Sequence, residues 1–212
     1  MTLFVRLALA ALLVLGAVVF SWRRLSRIRA MPCPPWLMWL LENPFARRRT
    51  YTPVLERLAL SPEMHVLDMG CGYGRLSIPI ARLVLPGGDV VGVDIQEGML
   101  RRARERAHKS GLANLTFRRA GAGEGLLEPD RYDRALMVTV LGEIPRQAQA
   151  LKEVLSAIQP GGFLSITEFL PDPHYQPVGK VRRLAHAAGF RELAYFGNVL
   201  GYTLNLERPP GS

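Results

Sequence analysis

Residues 66–74 constrain this chain more than any other segment: Val66, Leu67 and Asp68 run into Met69, Gly70, Cys71, Gly72, Tyr73 and Gly74. A short apolar run that ends in an acid reads as a buried strand. Glycines at alternate positions then let the backbone take positive φ and approach a ligand closely. The helical pattern Leu76, Ile78, Ile80, Ala81, Leu83, Val84 follows at once. A ligand would therefore sit beyond the carboxyl end of this strand, where open α/β sheets bind small molecules. A dinucleotide turn needs G-x-G-x-x-G. Gly70 and Gly72 fit that pattern, but its third position is Arg75.

Further segments repeat the logic. Residues 90–94 form an apolar run ending in Asp94. An acid at the end of a second strand can accept both hydroxyls of a ribose, and it can equally cap the helix that follows. Residues 114–117 look like a third strand. Residues 132–140 look like a fourth, and residues 162–168 like a fifth, entered through Gly161 and Gly162.

The pattern Asp-x-Gly-x-Gly-x-Gly at 68–74 resembles motif I of the class I S-adenosylmethionine (SAM)-dependent methyltransferases. Asp94 stands where that family places its ribose-binding acid. Residues 141–145, Leu-Gly-Glu-Ile-Pro, resemble the family's Leu-His-Glu-Ile-Pro loop with Gly142 in place of histidine. The likeness covers about residues 50–208 and resembles most the small ubiquinone/menaquinone-biosynthesis branch. It implies SAM as cofactor, held by Asp68, Gly70, Cys71, Gly72, Gly74, Asp94, Ile95, Ala122, Gly123 and Thr139. One departure concerns the adenine contact: Ala122 falls where the family has an aspartate, and Glu124 is a possible substitute two residues on.

Strands and helices alternate through the main domain. Strand 65–69 leads to helix 73–84, strand 89–94 to helix 97–110, and strands 115–119 and 133–140 to helix 146–158. Strand 162–168, helix 177–188 and a closing pair near 190–196 and 200–207 complete the order. Alternation predicts a mostly parallel sheet covered on both faces. The fold class expected is therefore α/β, a Rossmann-like seven-stranded sheet with an antiparallel C-terminal hairpin, preceded by an N-terminal transmembrane helix. The domain divisions expected are an anchor with basic flank at 1–30, a Pro/Trp/Arg-rich linker or lid at 31–50, and the methyltransferase domain at 51–208.

The anchor rests on composition. Residues 7–22 carry no charge, and with residues 3–6 the run reaches twenty, about 30 Å of helix. Arg23, Arg24, Arg27 and Arg29 follow directly. Positive charge after the apolar run, with no small-residue cleavage site, favours an uncleaved anchor over a signal peptide or an interfacial helix. The positive-inside tendency places that flank and the main domain in the cytoplasm, as a single-pass membrane protein. Residues 36–41 read either as an amphipathic foot on an anionic bilayer or as a lid packed on the core.

Net charge is +9 overall, and residues 1–49 supply +7 of it from eight Arg and one Glu. The basicity thus belongs to the head. Arg101, Arg102, Arg104 and Arg106 spread around one helix as a solvated face, so no nucleic-acid partner is expected. Two cysteines give no disulfide framework, and no Cys/His spacing suggests zinc.

Methyl transfer from a sulfonium needs alignment and exclusion of water more than a universal catalytic group. A base is required only where the acceptor loses a proton. The candidates are Glu143, His174, Tyr175 and Tyr51. Each has a plainer reading as a helix cap, a loop residue or a packing aromatic. The function expected is a membrane-anchored methyltransferase acting on a small apolar or lipid-like acceptor, such as a lipid amine, a quinone-like ring or a hydrophobic thiol. The alternative is a SAM-binding sensor or scaffold without turnover.

Overall fold

The computed structural model describes residues 44–170 and 172–211, and the side chains from residue 51 onward. The expected transmembrane helix and basic flank, and most of the linker or lid, lie outside the described residues. Among the described residues, no helix is long and apolar enough to cross a membrane.

Seven strands and five helices make up the domain. Helix α1 (Pro44–Arg57) leads to β1 (His65–Met69). Then come α2 (Ser77–Leu83), β2 (Asp89–Asp94), α3 (Glu97–Lys109) and β3 (Leu115–Arg119). Strand β4 (Tyr132–Val138), α4 (Gln147–Ala157), β5 (Ile158–Phe169), α5 (Val178–Ala188), β6 (Arg191–Asn198) and β7 (Gly201–Glu207) follow.

The sheet order is β3-β2-β1-β4-β5-β7-β6. The first five strands are parallel, and β7 runs antiparallel to both β5 and β6. The central strands carry unbroken apolar runs because both faces are covered. On one face Val54 of α1 and Leu58 just after it join Ile80 and Ala81 of α2. On the other, Leu151 and Val154 of α4 join Val181 and Ala185 of α5.

The order of elements matches the expectation, several boundaries differ by one or two residues, and three differences have a structural reason. The turn after β1 extends to Leu76, so α2 starts later than residue 73, because the glycines keep 70–74 out of helical backbone. Strand β5 begins at Ile158, since Ile158 pairs with Tyr132 across a register shift before the regular ladder starts at Phe163. Helix α1 crosses the division expected at 50/51 and contains Tyr51, which the sequence placed ahead of the first core helix. Pro53 lies inside that helix; burial of Val54 and Leu58 offsets its poor propensity.

The outer arginines of α3 behave as a solvated face. Met99, Leu100, Ala103 and Ala107 turn inward. Arg104 meets Glu97 at 2.7 Å, and Arg106 lies 4.8 Å over the Tyr73 ring.

Candidate active site

The parallel strands end at one side of the sheet, and a cavity of about 440 Å³ opens there. That is within the range of small-molecule sites, about 300–1,000 Å³.

Its floor is the turn after β1. The amides of Gly70 and Cys71 both donate to the Val93 carbonyl, at 2.7 and 3.0 Å, which stitches the turn to the end of β2. Gly70 has φ +76, and a Cβ there would lie 2.3 Å from Val140. Gly72 has φ +55, and its missing Cβ leaves open space on the cavity side.

Asp94 locks this arrangement. One carboxylate oxygen accepts from the Gly72 amide at 2.9 Å and the other from the Gln96 amide at 2.8 Å. Burial raises the Asp94 pKa, and the Gln96, Gly72 and Ile95 amides pull it back down. Asp94 thus fixes the amide of Gln96, the residue ahead of the next helix, and lines the cavity.

Asp68 is buried at the end of β1 and accepts from the Ser77 hydroxyl at 2.5 Å. Desolvation pushes its pKa to about 6, against the Ser77 hydrogen bond and with help from the Asp94 charge. Cys71 lies between them, its thiol raised by burial and by both carboxylates. It is an inert packing thiol, not a nucleophile.

The fourth strand supplies the opposite wall. Thr139 holds φ +56, a costly conformation for a β-branched residue. Its amide is fixed to the Thr167 carbonyl at 2.8 Å, and Val140, Glu143 and Ile144 follow along the cavity.

Eight of the ten expected cofactor residues line the cavity: Asp68, Gly70, Cys71, Gly72, Asp94, Ile95, Ala122 and Thr139. Gly74 and Gly123 fall behind it. Gly74 packs where a Cβ would stand 3.2 Å from Phe117, and the Gly123 amide donates to Glu153 at 2.5 Å. Both glycines meet atoms of the protein itself at these positions. Glu124 lines the cavity too, but one of its carboxylate oxygens accepts from Gly121 at 2.9 Å and so closes its own turn.

Of the four catalytic candidates, Tyr51 and Glu143 line the cavity. His174 is buried outside it, its amide bonded to Asp172 at 2.6 Å. Tyr175 lies edge-on to Tyr202 with ring centroids 6.1 Å apart, as a packing aromatic.

The sequence reading passed over several lining groups: Tyr73, Arg75, Gln96, Met99, Arg146 and Asp172. Arg75, the residue that breaks the dinucleotide pattern, lies 4.7 Å over Tyr51 and 5.0 Å over Tyr73. It joins α1 to the glycine turn. Its place straight after the glycines was the available signal.

Gly142 has a structural reason. A Cβ there would lie 1.9 Å from the His174 carbonyl oxygen. The segment after β5 thus rests on the turn after β4, in the space a larger side chain would fill, and Asp172 of that segment reaches the cavity.

Glu168 sits beneath that segment, 1% exposed. One oxygen accepts from the Gln176 amide at 3.2 Å, and the other has no hydrogen-bond partner. Burial lifts its pKa to about 8, with added repulsion from Asp172 and Glu143.

Comparison with known proteins decides the family. Residues 60–187 match the methyltransferase domain family. The chain belongs to the class I SAM-dependent methyltransferases. It is 30% identical over 147 residues to the ubiquinone/menaquinone biosynthesis C-methyltransferase UbiE of Proteus mirabilis, covering 69% of this chain and 57% of that protein. Over 117 residues it is 35% identical to the UbiE of Yersinia enterocolitica, covering 54% and 46%. The chain thus spans about half the length of these curated relatives. In fold it resembles a SAM-dependent methyltransferase from Aquifex aeolicus, with a TM-score of 0.75, 22% identity, and 82% of this chain and 98% of that one covered. It also resembles phosphoethanolamine N-methyltransferase 2 of Haemonchus contortus in complex with SAM, with a TM-score of 0.64, 22% identity, and 74% and 41% covered.

The donor set suits this cofactor. Two carboxylates, Asp94 and Asp68, line one cavity, and no atom lies within 4 Å of where a Cβ on Gly72 would stand. One consequence is measurable. At pH 7 a carboxyl with a pKa of about 6 is mostly ionised. Below pH 6 it takes up a proton, and attraction for a cationic ligand declines by up to about tenfold per pH unit. Cofactor affinity measured by calorimetry should therefore fall between pH 7 and pH 5. In Asp68→Asn it should be weak and flat over that range. An unchanged affinity at pH 5 in the unsubstituted protein would remove Asp68 from cofactor binding.

Proposed function

We propose that this protein is a membrane-anchored enzyme that transfers the methyl group of SAM to a small apolar or lipid-like acceptor. The carrying observation is the floor of the cavity, where Asp94 holds the Gly72 amide at 2.9 Å and a glycine turn leaves open space above it. When bound, SAM supplies an activated methyl on a sulfonium. The rest is positioning by this chain. Asp94 would hold the ribose and Asp68 the cationic end of the cofactor. Ile95, half exposed beside Ala122, offers the adenine an apolar surface with no side-chain acid at position 122. Tyr51 and Tyr73, joined through Arg75, would cover the glycine turn and limit water. Glu143 is placed to take a proton from an acceptor that must lose one.

The apolar acceptor is supported by the composition of residues 7–22 and the basic flank after them. An active site tethered at a bilayer meets lipid-soluble molecules at raised effective concentration. The quinone-type ring has further support from the UbiE relatives, whose name gives ubiquinone and menaquinone biosynthesis.

The test is turnover by the full chain in vesicles with radiolabelled SAM and a panel of quinols, lipid amines and hydrophobic thiols. We expect label in one lipid-soluble class and little in water-soluble analogues. SAM binding without transfer to any of them would favour a sensor.

A further inference from the structure

The β6–β7 hairpin ends in an unusual turn. Val199 is 89% exposed and Leu200 55% exposed, where turns ordinarily carry polar residues. Leu170, at the end of β5 beside them, is 41% exposed. Both backbone groups of Leu200 are satisfied from within: its amide donates to the Asn198 side chain at 2.8 Å, and its carbonyl accepts from the Leu170 amide at 2.7 Å. A tip of that kind can leave water without stranding polar groups.

Its position gives it meaning. Phe169 pairs with Gly201, so the tip projects from the end of the sheet at which β1, β2 and β4 open into the cavity. Two strand spacings, about 10 Å, separate β7 from β4. Helix α1 meets this end as well, since Tyr51, midway along it, lines the cavity. The residues that precede α1 contain the uncharged run 7–22 and a net charge of +4, from five Arg and one Glu.

We propose that Val199, Leu200 and Leu170 form a membrane-docking rim that dips into the headgroup region of an anionic bilayer and turns the mouth of the cavity toward the lipid. This deepens the membrane reading above and rests on it. An anchor alone tethers the domain. The rim would fix its orientation, so that an acceptor passes from lipid to cavity without crossing bulk water.

The test uses the full chain with Cys33→Ser and a single new thiol, Val199→Cys, labelled with an environment-sensitive fluorophore; labelling of the buried Cys71 is controlled by the protein with Cys33→Ser alone. Ser61→Cys, exposed at the opposite end of the sheet, serves as the comparison site. Protein is reconstituted into vesicles of phosphatidylethanolamine and phosphatidylglycerol carrying spin-labelled lipid quenchers. The expected result is a blue shift and quenching at position 199, stronger with a shallow quencher than a deep one, and neither at position 61. Protein that stays with the vesicles while position 199 remains unquenched overturns the rim and spares the anchor. Protein that fails to stay with the vesicles overturns both. A blue shift without vesicles that grows with protein concentration assigns the tip to a second copy of this chain and overturns the rim as well.

Discussion

Asp94→Ala should weaken SAM binding by about a hundredfold or more while leaving a folded protein. The carboxylate is expected to accept two ribose hydroxyls, and hydrogen bonds to a charged group contribute about 1.5–3 kcal/mol each. Loss of both amounts to more than two factors of ten in affinity, at about 1.4 kcal/mol per factor. The same change releases the Gly72 and Gln96 amides, so the turn loses the bond that fixes its shape. Asp94→Asn keeps acceptor capacity on one side only and should fall between the two. Titration calorimetry with circular dichroism on the same samples separates binding from folding. Wild-type affinity in a folded Asp94→Ala protein would place the ribose elsewhere.

Glu168→Gln should stabilise the protein, and increasingly so as pH rises. Desolvation holds the buried carboxyl protonated up to about pH 8, against an ordinary value of 4.5. The folded state therefore binds the proton more tightly than the unfolded chain. Its contribution is complete below pH 4.5 and declines as pH rises from there through 8. The slope is about 1.4 kcal/mol per pH unit, so several kcal/mol are lost by pH 8. Glutamine resembles the protonated acid in shape and has no proton to release. Its side-chain oxygen can still accept from the Gln176 amide. Denaturant melts at pH 5 and pH 8 should show the variant and the parent close together at the lower pH and widely separated at the higher. Parallel pH dependence of the two would mean that Glu168 is ionised and paired in the folded protein.

Much of the frame was legible because its signals are local. Residues 65–69, 89–94 and 115–119 have their expected bounds, and the first two are short, largely apolar runs closed by a turn or an acid. The glycine turn and Asp94 were legible for the same reason: their chemistry lies within one strand–turn–helix unit. The features missed depend on distant partners. Nothing near Gly142 tells that the His174 carbonyl will occupy the place of its missing Cβ. Glu168 looks like one more position of a strand, and its burial follows from Tyr202 on the paired β7 and the segment after β5. The positive φ of Thr139 has no sequence signal at all; its neighbours at the end of the fourth strand impose it. Strand β6 continues through Gly197 to Asn198, past the expected end at 196, and its face is mostly exposed.

The Gly142 contact also bears on the acceptor. The segment after β5 brings Asp172 to the wall that already carries Glu143 and Arg146. That wall of the cavity is charged, and an acceptor that carries an ionisable group would suit it better than a pure hydrocarbon would.

The central claim is that the bend after β1, with Asp94 beside it, holds an adenosyl sulfonium. Calorimetric titration of the purified full chain with SAM and with S-adenosylhomocysteine tests it most directly. The account predicts saturable binding of both at one site per chain near neutral pH, lost in Asp94→Ala. No measurable association of either with folded protein would contradict it.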